Sequence, residues 1–166
     1  MAHNGFMGDI TIRRAGEDDF ADVAEFRYTA DADFPGDEVT THDEFVDRFT
    51  EWATANRETH QCVIALRGEV IIGMAWLAVV PRVPSSKSFT RASGDIQAVY
   101  ALPSERNARI GSRMIEELLA IARERGVGRV TVHSSPKAIS AYARAGFSSQ
   151  PILMQVAVPP EPPHCP

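Results

Sequence analysis

The chain has 166 residues, of which 44% are hydrophobic, and this is enough for one globular domain with a single sizeable core. No apolar run reaches the roughly 18 residues that would cross a bilayer, which argues against a membrane protein. Residues Met1 to Asp9 carry no basic segment followed by an apolar stretch. We therefore expect a cytoplasmic protein with a net charge of -5 and no membrane partner.

The N-terminal part predicts one strand and two helices. Residues Asp9 to Arg14 alternate in polarity as a strand does, and Glu17 to Tyr28 follow a helical pattern. After a loop with Pro35-Gly36, Thr41 is placed to cap a second helix, with Glu44 completing a capping box. This second helix is expected to bury a stripe of four side chains: Phe45, Val46, Phe49 and Trp52.

Two strands and a surface loop are predicted next. The strands run roughly from Gln61 to Leu66 and from Val70 to Val79, joined by a tight turn at Gly68. Pro81 to Ala92 is rich in proline and serine, which is typical of a surface loop. Cys62 stands in an apolar run far from Cys165, so we expect it in the core, with neither a disulfide nor a zinc pattern.

A strand followed by a helix forms the centre of the C-terminal half. The apolar run from Ile96 to Leu102 stops at Pro103, which cannot donate a ladder hydrogen bond. After the turn Ser104 to Arg109, apolar residues recur at helical spacing as far as Gly126, where a left-handed cap is favoured. The spaced residues are Ile110, Met114, Ile115, Leu118, Leu119 and Ala122.

The start of this helix is predicted to bind an anion. The first amides of a helix have no internal partner and carry the positive end of its dipole. Arg106, Arg109 and Arg113 add formal positive charge at that point. A pyrophosphate is the ligand that suits such a site.

A second strand and helix follow. Residues Arg129 to His133 are β-branched and alternate as a strand, and Ser135-Pro136 is expected to open a helix that ends at Gly146-Phe147. The whole segment from Gly94 to Phe147 resembles the acetyl-coenzyme A (acetyl-CoA) binding core of the GNAT superfamily of N-acetyltransferases. That family carries Gln/Arg-x-x-Gly-x-Gly/Ala at the strand-to-helix turn, and often Asn-x-x-Ala…Tyr-x-x-x-Gly-Phe around the following helix.

The first motif falls on Arg106-Asn107-Ala108-Arg109-Ile110-Gly111 and the second on Ser135 to Phe147. Arg109 stands where the family usually has glycine, and Ser135 stands where it usually has asparagine. In the first turn of a helix Arg109 is expected to adopt ordinary helical dihedrals, with its side chain either pointing outward or giving phosphate a charged contact. The resemblance implies that acetyl-CoA is bound by Val99, Tyr100, Ala101, Arg106, Asn107, Ala108, Arg109, Ile110, Gly111, Ser112, Ser135, Lys137 and Tyr142.

The resemblance also implies the fold, an α/β (α+β) single domain with a mixed sheet of about six to seven strands and about four helices. The predicted element order is β-α-α-β-β-β-α-β-α-β, with a last strand after the second motif. We expect the acetyltransferase domain to span residues 9–158. Residues 1–8 are expected to be a flexible N-terminus, and residues 159–166 a flexible proline-rich tail.

Two residues are candidates for catalysis. Tyr142 occupies the family's tyrosine position, where the phenol protonates the departing thiolate; the alternative is a tyrosine that only packs, with its hydroxyl bonded to the backbone. Asp95 lies where some family members carry a general base, although it follows Gly94 and equally suits a loop end or a turn. Base use through water is also open. Three histidines, His42, His60 and His133, are further candidates, although a satisfied polar role is the better interpretation of each.

Charge is unevenly divided along the chain. Thirteen acidic and two basic residues lie between Glu17 and Glu51, whereas Ser104 to Arg144 holds eight basic and four acidic ones. For any one residue an exposed helix face explains the charge. Together the two parts favour a polyanionic cofactor and a cationic small-molecule or peptide amine as acceptor. The basic part is too small and too mixed with glutamate to indicate nucleic acid, and no metal site is predicted.

Two functions are consistent with these patterns. One is an acetyl-CoA-dependent N-acetyltransferase that moves acetyl to a primary amine by direct transfer in a ternary complex. The other is a non-catalytic acyl-CoA-binding or sensing module with the same fold, which the departures at Arg109 and Ser135 favour. A homodimer is one open arrangement.

Overall fold

The computed structural model describes residues 9–157 and, within that range, leaves aside the side chains of residues 106 and 107. The predicted flexible termini at 1–8 and 159–166 lie outside the described residues. The elements in chain order are β1 (Ile10–Arg14), α1 (Phe20–Asp31), α2 (His42–Ala55), β2 (His60–Arg67), β3 (Val70–Arg82), β4 (Arg91–Ala101), α3 (Ile110–Glu124), β5 (Val127–Val132) and α4 (Ile139–Arg144). Short 3₁₀ turns occupy Glu17–Asp19 and Pro103–Ala108.

The strands form one mixed sheet in the order β1-β2-β3-β4-β5. Neighbours are antiparallel except β4 and β5, which are parallel because α3 returns the chain to the same end of the sheet. The described range thus confirms the mixed α/β fold with four α-helices, with five strands instead of the predicted six to seven.

The strand expected after α4 is absent from residues 148–157. Pro151 has no N–H for a ladder, and a turn forms around it in which the Leu153 N–H donates to the Gln150 carbonyl at 3.2 Å. The apolar side chains beyond this turn are therefore exposed, including Ile152 and Met154.

Helices cover both faces of the sheet and create two cores. The α3-side core is built around Met114, Ile115 and Leu118, as the helical spacing predicted. The α1-side core includes Phe20, Trp76 and the buried Cys62, and the core position predicted for Cys62 is confirmed. The stripe predicted for α2 is less buried than expected, because α2 lies at the margin of this core: Trp52 remains 40% exposed.

Three predicted boundaries were wrong. Strand β3 continues through Pro81, which pairs with Ala92, so the predicted loop shrinks to residues 83–90. Proline is tolerated there because β2 pairs with β3 only as far as Ala78, which leaves that edge of β3 without a ladder bond to lose. Strand β4 begins at Arg91, five residues before the predicted start, and α4 begins at Ile139 instead of at Ser135-Pro136.

Candidate active site between strands β4 and β5

Strands β4 and β5 are paired only along the first half of β4. Their pairing ends at Ile96 opposite Val132, whereas β4 continues to Ala101. Beyond that point alternate residues of β4 direct their backbone N–H and C=O groups away from β3, into the space that β5 has left. The sheet thus presents an unpaired length of strand edge, at 97–101, to a ligand that offers amide groups of its own.

A β-bulge lies where the gap begins. Trp76 of β3 is opposite Ala98 and Leu77 is opposite Ile96, so Gln97 is an extra residue in β4. Bulges bend a strand and re-aim its side chains, and they are frequent next to active sites. The bulge therefore helps to turn the free end of β4 away from β5.

The unpaired edge leads directly into the start of α3, where most predicted cofactor contacts lie. Among the side chains that the structure describes, none caps this helix start, so its first amides are available to a ligand. A Cβ placed on Gly111 would meet nothing within 4 Å, which shows open space above the first turn. The Ile110 side chain is 1% exposed and belongs to the core, so only its main chain can face that space.

The remaining predicted cofactor residues lie in two places, around the start of α3 and in the turn before α4. Ala108 is exposed and Ser112 is half-buried at the helix start. Ser135 and Lys137 are exposed in the turn before α4, and Lys137 makes no ion pair within the described range. The side chains of Arg106 and Asn107 lie outside the described residues. Arg113 does not point to the helix start as predicted, because its Nη2 donates to the Ile10 carbonyl at 3.1 Å.

In β4 the predicted contacts are of the backbone. Val99 and Ala101 direct their side chains into the α3-side core, whereas Tyr100 directs its ring into the α1-side core. The Tyr100 hydroxyl donates a short hydrogen bond to Asp33, in the loop between α1 and α2. The side chain of Tyr100 is thus occupied by the fold, and its main chain alone borders the gap.

Arg109 differs from its prediction. It caps α3 with φ 54° and ψ 25°, a left-handed conformation that no other non-glycine residue adopts between residues 9 and 157. Ordinary helical dihedrals were expected, and they are excluded because the chain must reverse direction between the 3₁₀ turn and α3. The geometry explains why glycine suits this position, and it strains arginine by roughly 1–2 kcal/mol.

Arg109→Gly is expected to stabilise the protein. Relief of the left-handed strain exceeds the extra freedom that glycine gives the unfolded chain, so the free energy of unfolding should rise by about 0.5–1 kcal/mol. Urea denaturation measures this change. Arg48→Gly, in the ordinary helical backbone of α2, is the matched control and should be destabilising by about 1 kcal/mol. Equal losses in both variants would contradict the strain at Arg109.

An ion pair that the sequence did not predict links strand β2 to the 3₁₀ turn before α3. Arg67, at the end of β2, contacts Glu105 through Nε at 3.1 Å and Nη2 at 2.6 Å, in the paired geometry of guanidinium and carboxylate. The hydrogen bond from Arg67 lowers the pKa of Glu105 below its usual value. No local pattern signals this pair, because its members come from separate elements that only the folded sheet brings together.

Arg67→Gln is expected to raise the pKa of Glu105 towards that of a free glutamate, which carboxyl NMR titration measures. Because the folded pKa of Glu105 is lowered, the pair stabilises the protein above the usual glutamate pKa, and this contribution is lost as pH falls through the folded value. The turn before α3 should also hold coenzyme A about two- to fivefold more weakly. Arg48→Gln, which breaks the exposed pair with Glu44, should leave both quantities unchanged.

Tyr142 lines a cleft of about 1020 Å³ between α3, β5 and α4. Its ring is 8% exposed and packs edge-on against Phe147 at a centroid distance of 5.5 Å. Its hydroxyl makes no hydrogen bond within residues 9–157, and no fully buried side-chain oxygen in that range lacks a partner, so the hydroxyl is accessible from the cleft. Burial raises the pKa of the phenol and keeps it protonated.

Asp95 lies inside β4, so neither a loop end nor a turn accounts for it. Its Oδ1 accepts a hydrogen bond from Thr131 Oγ1 at 3.1 Å, across the last paired rungs of β4 and β5. A Cβ on Gly94 would meet Leu77 and Val130 on the α3 side, so alternation places Asp95 on the α1 side. Asp95 and Tyr142 therefore lie on opposite faces of the sheet. Asp95 precedes Ile96, the last residue of β4 that pairs with β5, and the cleft that Tyr142 lines is bordered by β5 and not by β4.

The three histidines are held by other contacts or lie apart. Nδ1 of His42 is 2.9 Å from Asp43 and Nε2 is 2.6 Å from Glu25, and these hydrogen bonds raise the pKa of His42. A raised pKa makes His42 a poorer base near neutral pH. His60 packs on Trp52 at a centroid distance of 5.0 Å, and His133 is exposed just after β5.

The acidic segment from Glu17 to Glu51 is partly neutralised by ion pairs within the fold. Its paired carboxylates are Arg13–Asp19 at 2.7 Å, Arg27–Asp31 at 2.8 Å, Arg48–Glu44 at 3.2 Å and Arg57–Glu17 at 3.0 Å. Over residues 9–157 no group of three or more potential metal ligands comes together. None of the helices in the same range has the length and apolar character needed to cross a membrane.

Comparison with known sequences agrees with this arrangement. A profile described as the acetyltransferase (GNAT) family matches residues 23–147, which include most of α1, the bulged strand, the α3 start and Tyr142. The chain belongs to the GNAT acetyltransferase family. A glucosamine 6-phosphate N-acetyltransferase from Trypanosoma brucei brucei is 34% identical over 89 residues, covering 52% of this chain and 56% of the relative. The chain thus matches about half the length of that curated relative.

Solved structures show the same GNAT fold at low sequence identity. A predicted acetyltransferase with acetyl-CoA from Clostridium acetobutylicum is 19% identical with a TM-score of 0.70, covering 90% of this chain and 96% of that one. Glucosamine-6-phosphate N-acetyltransferase from Arabidopsis thaliana is 18% identical with a TM-score of 0.71, covering 90% and 98%. At these identities the likeness shows the fold, not the acceptor.

Proposed function

We propose that this GNAT protein is an acetyl-CoA-dependent N-acetyltransferase that moves an acetyl group directly to a primary amine in a ternary complex. The observation that supports it most is the parting of β4 from β5 after Ile96, which leaves a strand edge running into the uncapped start of α3. The proposal also includes a single acetyltransferase domain over residues 9–158.

The residues at the gap fit acetyl-CoA. The backbone at Val99, Tyr100 and Ala101 offers hydrogen bonds to the amide-bearing arm of the coenzyme. The first amides of α3 and the exposed Arg109 suit its pyrophosphate, with open space above Gly111. Other proposed contacts come from Arg106, Asn107, Ala108, Ile110, Ser112, Ser135 and Lys137.

Acetyl-CoA supplies an acetyl thioester whose sulfur leaves as a thiolate. Asp95 accepts a proton from the attacking amine, directly or through water, on the α1 side of the sheet. Backbone N–H groups of β4 donate to the thioester oxygen as it gains charge. Tyr142 Oη donates its proton to the thiolate sulfur on the α3 side, so the positions on opposite faces suit attack on one side of the thioester and departure on the other.

The acceptor is proposed to be a small-molecule or peptide amine carrying positive charge. Exposed carboxylates of the α1–α2 region would attract this positive charge. They include Glu38, in the loop between α1 and α2, and Asp43, in the first turn of α2. The name of the trypanosomal relative adds amino-sugar phosphates to the acceptors to be tested.

One observation favours the second candidate, a non-catalytic acyl-CoA-binding module. Arg109 holds a left-handed backbone position at which its Cβ narrows the approach to the α3 start. Such a module would bind coenzyme A and acyl-CoA without releasing free thiol in the presence of any amine.

Calorimetry with acetyl-CoA and a thiol-release assay with an amine panel test the proposal. We expect saturable binding and release of one thiol per acetylated amine, with cationic amines ahead of neutral ones at low salt and that advantage reduced in high salt. Absence of coenzyme binding would remove both candidates. Binding without turnover over the whole panel would leave the binding module.

A further inference from the structure

Three arginines surround a second, smaller cleft at the opposite end of the sheet. The cleft has a volume of about 270 Å³ and lies where β4 and β5 begin. Arg82 at the end of β3 is directly opposite Arg91 at the start of β4, and the pairing of Ala92 with Val127 brings Arg129 of β5 alongside.

These three guanidinium groups are not neutralised within the described range. Arg82, Arg91 and Arg129 make no ion pair with a carboxylate of residues 9–157, whereas Arg14 and Arg67 each contact glutamate at 2.9 Å or less. Arg91 donates from Nη1 to the Val83 carbonyl at 3.3 Å, a neutral acceptor. In a protein with net charge -5, three exposed cations around one cleft, without a carboxylate partner among the described residues, favour the binding of an anion there.

The rest of the lining suits an oxyanion. Ser88 and Thr90 contribute hydroxyl groups that make no side-chain hydrogen bond in residues 9–157. Gly126 and Gly128 form an open wall: a Cβ on Gly126 would meet nothing within 4 Å, and the nearest atom to one on Gly128 is at 4.0 Å. A tetrahedral anion can thus approach the backbone closely while guanidinium and hydroxyl donors surround it.

The partial negative charge at the C-terminal end of α3 offers another reason for the three arginines, but a weaker one. This end lies beside Gly126 and carries a partial negative charge of roughly half an electron. Arg123, in the last turn of α3, already places a positive charge beside that partial negative charge. Three further unit charges exceed what the dipole can balance, so an external anion remains the better counter-charge.

We propose that this three-arginine cleft is a binding site for a phosphoryl group, separate from the start of α3. The two places stand at opposite ends of α3, which at 1.5 Å per residue is about 22 Å long, so one pyrophosphate cannot occupy both. The site does not depend on acetyl transfer. The phosphoryl group belongs either to a soluble metabolite or to a lipid headgroup. A lipid is a candidate because Val83 and Phe89, two apolar side chains of the adjoining loop, are more than 80% exposed.

Amide NMR of the intact chain tests the site with sodium pyrophosphate at constant ionic strength. Because the readout is the Gly126 and Gly128 amides, pyrophosphate bound at the start of α3 does not interfere. We expect saturable shifts of both amides and an affinity at least tenfold lower in Arg82→Gln/Arg129→Gln. Arg48→Gln, on the surface of α2, removes one positive charge elsewhere and should bind as the wild type does.

Vesicles of neutral lipid with and without phosphatidic acid separate the two sources. Co-sedimentation that needs phosphatidic acid and fails in Arg82→Gln/Arg129→Gln assigns the site to a headgroup, whereas pyrophosphate binding without co-sedimentation assigns it to a soluble ligand. The proposal is overturned if pyrophosphate shifts neither glycine amide and the vesicles do not bind. It is also overturned if the double variant, folded by circular dichroism, binds both probes as tightly as the wild type.

Discussion

Tyr142→Phe is expected to lower kcat on the order of tenfold or more while the affinity for acetyl-CoA stays nearly intact. The substitution keeps the ring and its contact with Phe147, and removes only a hydroxyl that has no hydrogen-bond partner in residues 9–157. Packing is therefore preserved, whereas the proton for the departing thiolate is lost. Steady-state kinetics gives kcat, and calorimetry gives the coenzyme affinity.

The pH profile separates a proton donor from a tyrosine that only packs. Because burial raises the pKa of Tyr142, the phenol stays protonated through neutral pH, and wild-type activity should fall only as pH rises through that raised value. The phenylalanine variant should lack this alkaline limb. Phe147→Leu is the packing control, expected to lower stability with little change in kcat. Normal turnover by Tyr142→Phe would remove Tyr142 from the mechanism.

Asp95→Asn is expected to lower kcat/KM for the amine on the order of a hundredfold, the range that a positioned general base contributes. Asparagine keeps an oxygen that can accept the Thr131 hydrogen bond, so the pairing of β4 with β5 should survive. The loss should shrink as pH rises, because the amine then loses its own proton and needs no base. Initial rates measured across a pH series at saturating acetyl-CoA check both points.

Thr131→Val supplies the matched control for Asp95. It removes the donor that holds the carboxylate while leaving the carboxylate itself, and it should cost activity far less than Asp95→Asn. A valine variant as impaired as the asparagine variant would mean that Asp95 acts by fixing the strand pair. In that case water or a histidine would be the remaining candidate for the base.

Local patterns in the sequence determined the elements from β1 to α4 and their order, but they also predicted a last strand that residues 148–157 do not form. The spacing of Ile110, Met114 and Leu118 follows one face of a helix, and those residues are buried in α3 as predicted. The tyrosine and Gly-Phe pattern near the C-terminus placed Tyr142 in a helix that stops shortly before Gly146, although that helix starts later than expected. These signals depend on residues within a few turns of each other, so the chain alone carries them.

The tertiary structure decided what depends on pairing between distant segments. The end of β4–β5 pairing after Ile96 and the ion pair between Arg67 and Glu105 arise from how distant segments meet in the sheet, and the left-handed conformation of Arg109 arises from the turn that joins β4 to α3. A strand's register and length are set by its neighbours, whose identity is not written in its own residues. The sequence by itself therefore determined the fold class, the order of the elements from β1 to α4 and the candidate residues. Only the assembled sheet decided which backbone groups stay unpaired and which charges stay unneutralised, because long-range pairing fixes both.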